Sequence, residues 1–90
     1  MKIAVTNNSY SKKIKELEIV LTDAENNAEF VNDKLVPYLT KVYLIDIINN
    51  EFYWQKNAKG ENIVNVFVDF TKATAGCMTI KRIIKELEAV

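Results

Sequence analysis

Residues 63–70 read Ile-Val-Asn-Val-Phe-Val-Asp-Phe. Val64, Val66, Val68 and Phe70 share one parity; Ile63, Asn65, Phe67 and Asp69 share the other. A helix would scatter both sets around its axis, so this run predicts a β-strand with two unlike faces. Such a strand needs a paired neighbour and a layer over its apolar side. That requirement organises the rest of the chain.

The neighbour is close at hand. Val42 to Ile48 is rich in β-branched residues and continues to Phe52-Tyr53-Trp54, and Asn57-Ala58-Lys59-Gly60 supplies turn chemistry with a glycine suited to positive φ. A long antiparallel hairpin of about 41–55 and 62–71 is expected. If Asn57 and Gly60 close the turn, paired residue numbers sum to 117. Trp54 then faces Ile63, Phe52 faces Asn65, Asn50 faces Phe67 and Ile48 faces Asp69.

Helical spacing marks the flanks. Ala24, Ala28, Val31 and Leu35 repeat at three and four, Thr22-Asp23 offers a cap, and Pro37 is a stop, which predicts a helix over 24–36. Cys77, Ile80, Ile83, Ile84 and Leu87 predict a second helix over about 75–89. Lys2–Thr6 reads as a short strand closed by the turn-rich Asn7-Asn8-Ser9. Residues 10–21 fit either a helix with Tyr10, Ile14, Leu17 and Leu21 on one stripe or a strand over 15–21. Lys12, Lys13 and Lys15 carry the wrong sign for a helix start, and Ile19-Val20 favour the strand. The order is ββαββα: a single α+β domain over 1–90, with an antiparallel sheet and two helices on one face.

Composition excludes several classes of function. The chain has 90 residues, twelve basic and twelve acidic, with six of each sign in either half, no His and one Cys. A balanced field argues against a generic polyanion binder and against an acidic nucleic-acid mimic. Without His there is no Ser-His-Asp triad and no Cys-His pair, and one Cys makes neither a zinc site nor a disulfide framework. No cofactor or metal is implied. No run reaches the ~20 apolar residues of a membrane span, and the start of the chain lacks a signal-peptide apolar region. A lone Cys fits a reducing cytoplasm. Cys77 is expected to be a small buried thiol in phase with Ile80, Ile84 and Leu87, rather than a nucleophile.

The hairpin's second face is the unusual surface. In the expected register it gathers Phe52, Trp54, Ile63, Asn65 and Phe67, with Lys56 at its end. Three aromatics among amides and carboxylates are too apolar for a solvated face and too polar for a core. Apolar patches with polar rims mark interaction sites. The expectation is therefore a non-enzymatic protein–protein interaction module, either a homodimer or a domain docked on another protein. A small regulator or inhibitor of the kind carried by phages or mobile elements would suit it.

The alternative is a single-stranded nucleic-acid binder using the same aromatics. Val42 to Ile47 resembles the shorter signature strand of RNA-recognition motifs, and Val66-Phe67-Val68-Asp69-Phe70 the aromatic end of the longer one, where bases stack. That family places a helix and a strand between the two; here one turn separates them. The basic residue and glycine that open the longer signature are replaced by Ile63-Val64-Asn65. Basic residues ringing the aromatic face would favour this alternative. Asp46 and Asp69 on one face could hold Mg²⁺, and Lys72 stands three residues on, but a third acidic group is missing.

Overall fold

A computed structural model describes residues 1–6, 11–48, 52–76 and 78–90. The expected turn at Asn7–Ser9, Tyr10, Asn50 and Cys77 lie outside the described residues. The strands are β1 (Lys2–Val5), β2 (Ile14–Leu21), β3 (Asp46–Ile47), β4 (Tyr53–Lys56) and β5 (Asn62–Asp69). The helices are a run over 28–42 (α1), then α2 (Thr71–Ala75) and α3 (Ile80–Glu88). Every strand pairing is antiparallel: β1 with β2, β2 with β5, and both β3 and β4 with the far side of β5. This is the expected α+β domain, with 14–21 settled as a strand.

Parity now assigns the faces. Ile3, Leu17, Ile19, Val64, Val66 and Val68 share one face and are all at least 96% buried. Val31, Leu35 and Leu39 of α1 and Ile83 and Leu87 of α3 complete the same core, so the helices cover this side. The opposite face carries Lys2, Ala4, Glu16, Glu18, Val20, Ile63, Asn65 and Phe67. None of these belongs to the core cluster.

The helix boundaries differ from expectation, and each difference has a local cause. Asn27 caps α1, its Oδ1 accepting from the Phe30 amide at 2.7 Å. Thr22 instead donates its amide to Glu25 Oε1 at 2.9 Å, closing a turn over 22–25. Pro37 does not stop the helix. Val31–Leu35 and Tyr38–Val42 on either side are wound as π turns, and wider turns relieve the clash a proline ring makes with the preceding turn. They also keep Val31, Leu35 and Leu39 in line. Spaced by four, these would drift about 40° per step on a 3.6-residue helix.

Residues 41–45, expected as strand, therefore finish a helix. Leu44 takes φ +56, and the Ile45 amide donates to the Leu39 carbonyl at 2.9 Å. This is a left-handed closure of the Schellman kind, one residue wider because the helix is wider. Ile45 and Leu39 are both fully buried beneath it. The expected last helix, 75–89, is shortened to Ile80–Glu88, and a separate short helix not expected, α2, precedes it. Thr79 caps α3 through the Arg82 amide, so the helix starts at Ile80, behind Gly76.

The hairpin register also changes. Asn57 donates its amide to the Glu61 carbonyl, and its Oδ1 accepts from the amides of Lys59 and Glu61. With Gly60 at φ +79 the loop is three residues, 58–60, instead of two. Partner numbers in β4 thus sum to 118: Tyr53 opposes Asn65 and Trp54 opposes Val64. In β3 they sum to 115, with Asp46 opposite Asp69. The two registers differ by three. Being odd, this difference turns β4 over relative to the expected face while leaving β3 as expected.

Candidate interaction surface

The site residues are divided by this register. Ile63, Asn65 and Phe67 lie on the open face, as expected. Trp54 and Lys56 lie on the other side, at the rim of the sheet, where they border a depression of about 420 Å³ with Asn26, Asn27 and Ala28. Phe52 is half-buried and packs against the core. The places given to Phe52 and Trp54 belong instead to Tyr53 and Gln55. Sequence reasoning missed both; the signal was the capacity of Asn57 to accept from two amides across a three-residue loop.

Three cross-strand rows build the open face. In the first Glu16 opposes Phe67, whose ring meets that of Tyr53, opposite Asn65 in the next row, edge to face at 6.4 Å and 87°. The second runs Ala4, Glu18, Asn65, with Gln55 Nε2 donating to Asn65 Oδ1 at 2.6 Å. The third runs Lys2, Val20, Ile63, Gln55. Ile63 and Asn65 are buried, whereas Tyr53 stays 49% exposed. Beside the rows a depression of about 630 Å³ opens between β1 and the 57–61 turn, with Ala4, Val20 and Ala58 among its lining and Lys2, Glu18 and Lys59 around it.

The electrostatics of the face are mixed, with carboxylates at the centre. Glu16 accepts from the Thr6 hydroxyl at 3.0 Å. Asp46 pairs with Lys72 at 3.4 Å on an exposed edge. Asp69 accepts from the hydroxyl and the amide of Thr71 at 2.6 and 2.8 Å. Those two bonds, with Lys13 nearby, hold its carboxyl below the usual range against a small opposing effect of desolvation. Asp46 and Asp69 face each other, yet each is engaged by a protein group, and among the described residues no cluster of three or more acidic, Cys or His side chains could hold a metal. The aromatic pair is flanked by Glu16 and not by a basic ring. That weighs against stacking of phosphate-bearing strands on it.

Among the described residues no helix is long and apolar enough to cross a membrane. No known family, curated protein or solved structure matches this chain.

Proposed function

We propose that this chain is a non-enzymatic protein-interaction module whose open sheet face docks a partner protein. The observation that carries the proposal is the one-sided fold. Both flanking helical segments cover the same face, and the other keeps an exposed aromatic on a hydrogen-bonded platform. Exposed Tyr with a fixed, hydrogen-bonded surround is typical of interface anchors. The partner's chemistry follows from the rows. An apolar or aromatic side chain fits against Tyr53 and Phe67 or into the depression floored by Val20. A Lys or Arg beside it meets Glu16 and Glu18. Two copies packed face to face would bring those glutamates together, so a foreign partner suits the face better than a second copy.

Selection from a displayed library of short peptides tests this. The expected winners combine an aromatic or aliphatic residue with Lys or Arg. They lose binding to Glu16→Lys/Glu18→Lys and to Tyr53→Ser, both of which should stay cooperatively folded, the latter with a melting temperature lowered by no more than about 10 °C. Peptides that bind both variants as well as wild type would overturn the proposal. So would an oligothymidylate that binds at physiological salt while no peptide does.

A further inference from the structure

We infer that the outer edge of β4 pairs with β4 of a second copy, Trp54 meeting Lys56 across a two-fold axis. This does not rest on the open face: it uses the backbone at the sheet's rim.

The two edges of the sheet are treated differently. At the β1 edge Ile3 is buried and α3 packs alongside. At the other, β4 pairs with β5 alone among the described residues, and all four of its residues are exposed. Its only protections are its four-residue length and one Lys at its end; it has no proline and no bulge within it. Its hydrogen-bond phase is fixed by the Asn57 amide to the Glu61 carbonyl. In an antiparallel ladder bonded pairs alternate, so Gln55 and Tyr53 turn their backbone groups inward to β5. The N–H and C=O of Trp54 and Lys56 point outward. An outward row of backbone donors and acceptors fits an extended chain.

A second copy satisfies that row with its own. A two-fold axis normal to the sheet keeps each face on its own side, so even-numbered residues must meet even-numbered ones. Centred on Gln55, the register pairs Trp54 with Lys56 of the other copy, twice. The outward groups of both residues then exchange hydrogen bonds using β4 alone. Each indole gains an ammonium over its ring, and the two lysines are kept apart. The Trp54 ring, 43% exposed in the monomer, reaches the other copy's depression beside Asn26 and Ala28. So short an edge buries less than the roughly 1,200 Å² of a standard interface, and a dissociation constant on the order of 10 µM is expected.

The experiment is sedimentation equilibrium over a wide concentration range, joined to cysteine cross-linking. Wild type should show a reversible monomer–dimer equilibrium. Lys56→Pro removes an outward N–H on each side of the axis, a position where an edge strand tolerates proline. It should raise the dissociation constant by about tenfold or more, two neutral hydrogen bonds being lost per dimer. In a Cys77→Ser background, Gln55→Cys should oxidise to a disulfide-linked dimer, because that position faces itself across a non-hydrogen-bonded pair. Trp54→Cys should not. A wild-type chain that is monomeric at its highest soluble concentration overturns the inference. So does a dimer in which Gln55→Cys fails to cross-link while Trp54→Cys succeeds.

Discussion

Leu44 holds a backbone position that most helices give to glycine. Its φ of +56 closes α1, and its side chain is 49% exposed, so little packing offsets the strain. A left-handed conformation costs an L-residue about 1–2 kcal/mol, while glycine adds roughly 0.5–1 kcal/mol of chain entropy. Leu44→Gly should therefore raise stability by about 0.5–1 kcal/mol, measured by urea denaturation. A drop would mean that the leucine side chain contributes packing the strain does not reveal. Just before it, the Tyr38 and Tyr43 rings meet edge to face at 5.2 Å, and the Tyr38 hydroxyl donates to the Tyr43 oxygen at 3.4 Å. Burial first, then that hydrogen bond and the negative charges of ionised Tyr43 and Glu86, push the Tyr38 phenol up to about 12. The folded chain holds this proton more tightly than the unfolded one. The contribution is present below pH 10 and lost as pH rises toward 12. Tyr38→Phe should lose less stability than wild type between those pH values, read from urea midpoints at each pH. The same residues show where the sequence was silent. A glycine at 44 would have announced a helix end, whereas a leucine within Val-Tyr-Leu-Ile reads as strand.

Among the elements, β5 was legible because its two faces differ in chemistry, and a one-residue slip would invert the core; the spacing in β2 also fitted a helix, and only Ile19-Val20 and the sign of its lysines favoured the strand. Of the stripe expected in α1, Val31 and Leu35 are core while Ala24 and Ala28 are exposed, and Leu39 beyond Pro37 was missed; in α3, Ile83 and Leu87 are core as expected. The register of β4 was not legible, because it depends on one loop. Asn57 lengthens that loop with its own side chain, and Gly60 supplies the left-handed position that closes it. Hence the shared face of Ile63, Asn65 and Phe67 was legible from the strand's own parity, though Ile63 and Asn65 are buried on it, while Tyr53 and Gln55 were hidden by a loop one residue longer than assumed. A Cβ at Gly60 would meet nothing within 4 Å, so the penalty of Gly60→Ala is backbone strain alone, about 1–2 kcal/mol. A thermal melt tests it. A smaller loss would indicate that the loop can relax to two residues, and nuclear Overhauser contacts would then show Trp54 opposite Ile63.

At the scale of the whole molecule, stability and recognition are assigned to opposite sides of one sheet, and substitutions should separate them. Leu17 is fully buried on the covered face, between Val5 and Val66. Leu17→Ala should cost about 2–5 kcal/mol, a large share of the ~5–15 kcal/mol that holds a domain folded. Tyr53→Ala removes an exposed ring and one edge-to-face contact, worth about 0.5–1.5 kcal/mol. Trp54→Ala removes a half-exposed ring at the rim and should be similarly mild, where a core tryptophan would cost about 3–5 kcal/mol. Equilibrium unfolding of the three variants therefore sorts them by face. Their association behaviour sorts them again, along the other axis. Tyr53→Ala should weaken the selected peptides and leave the monomer–dimer equilibrium alone; Trp54→Ala should do the reverse. If both variants weaken the same association, the face and the edge form one continuous interface, and the division between foreign partner and second copy falls. If Trp54→Ala instead unfolds the chain, the ring is part of the core, and the edge loses the anchor on which its pairing depends.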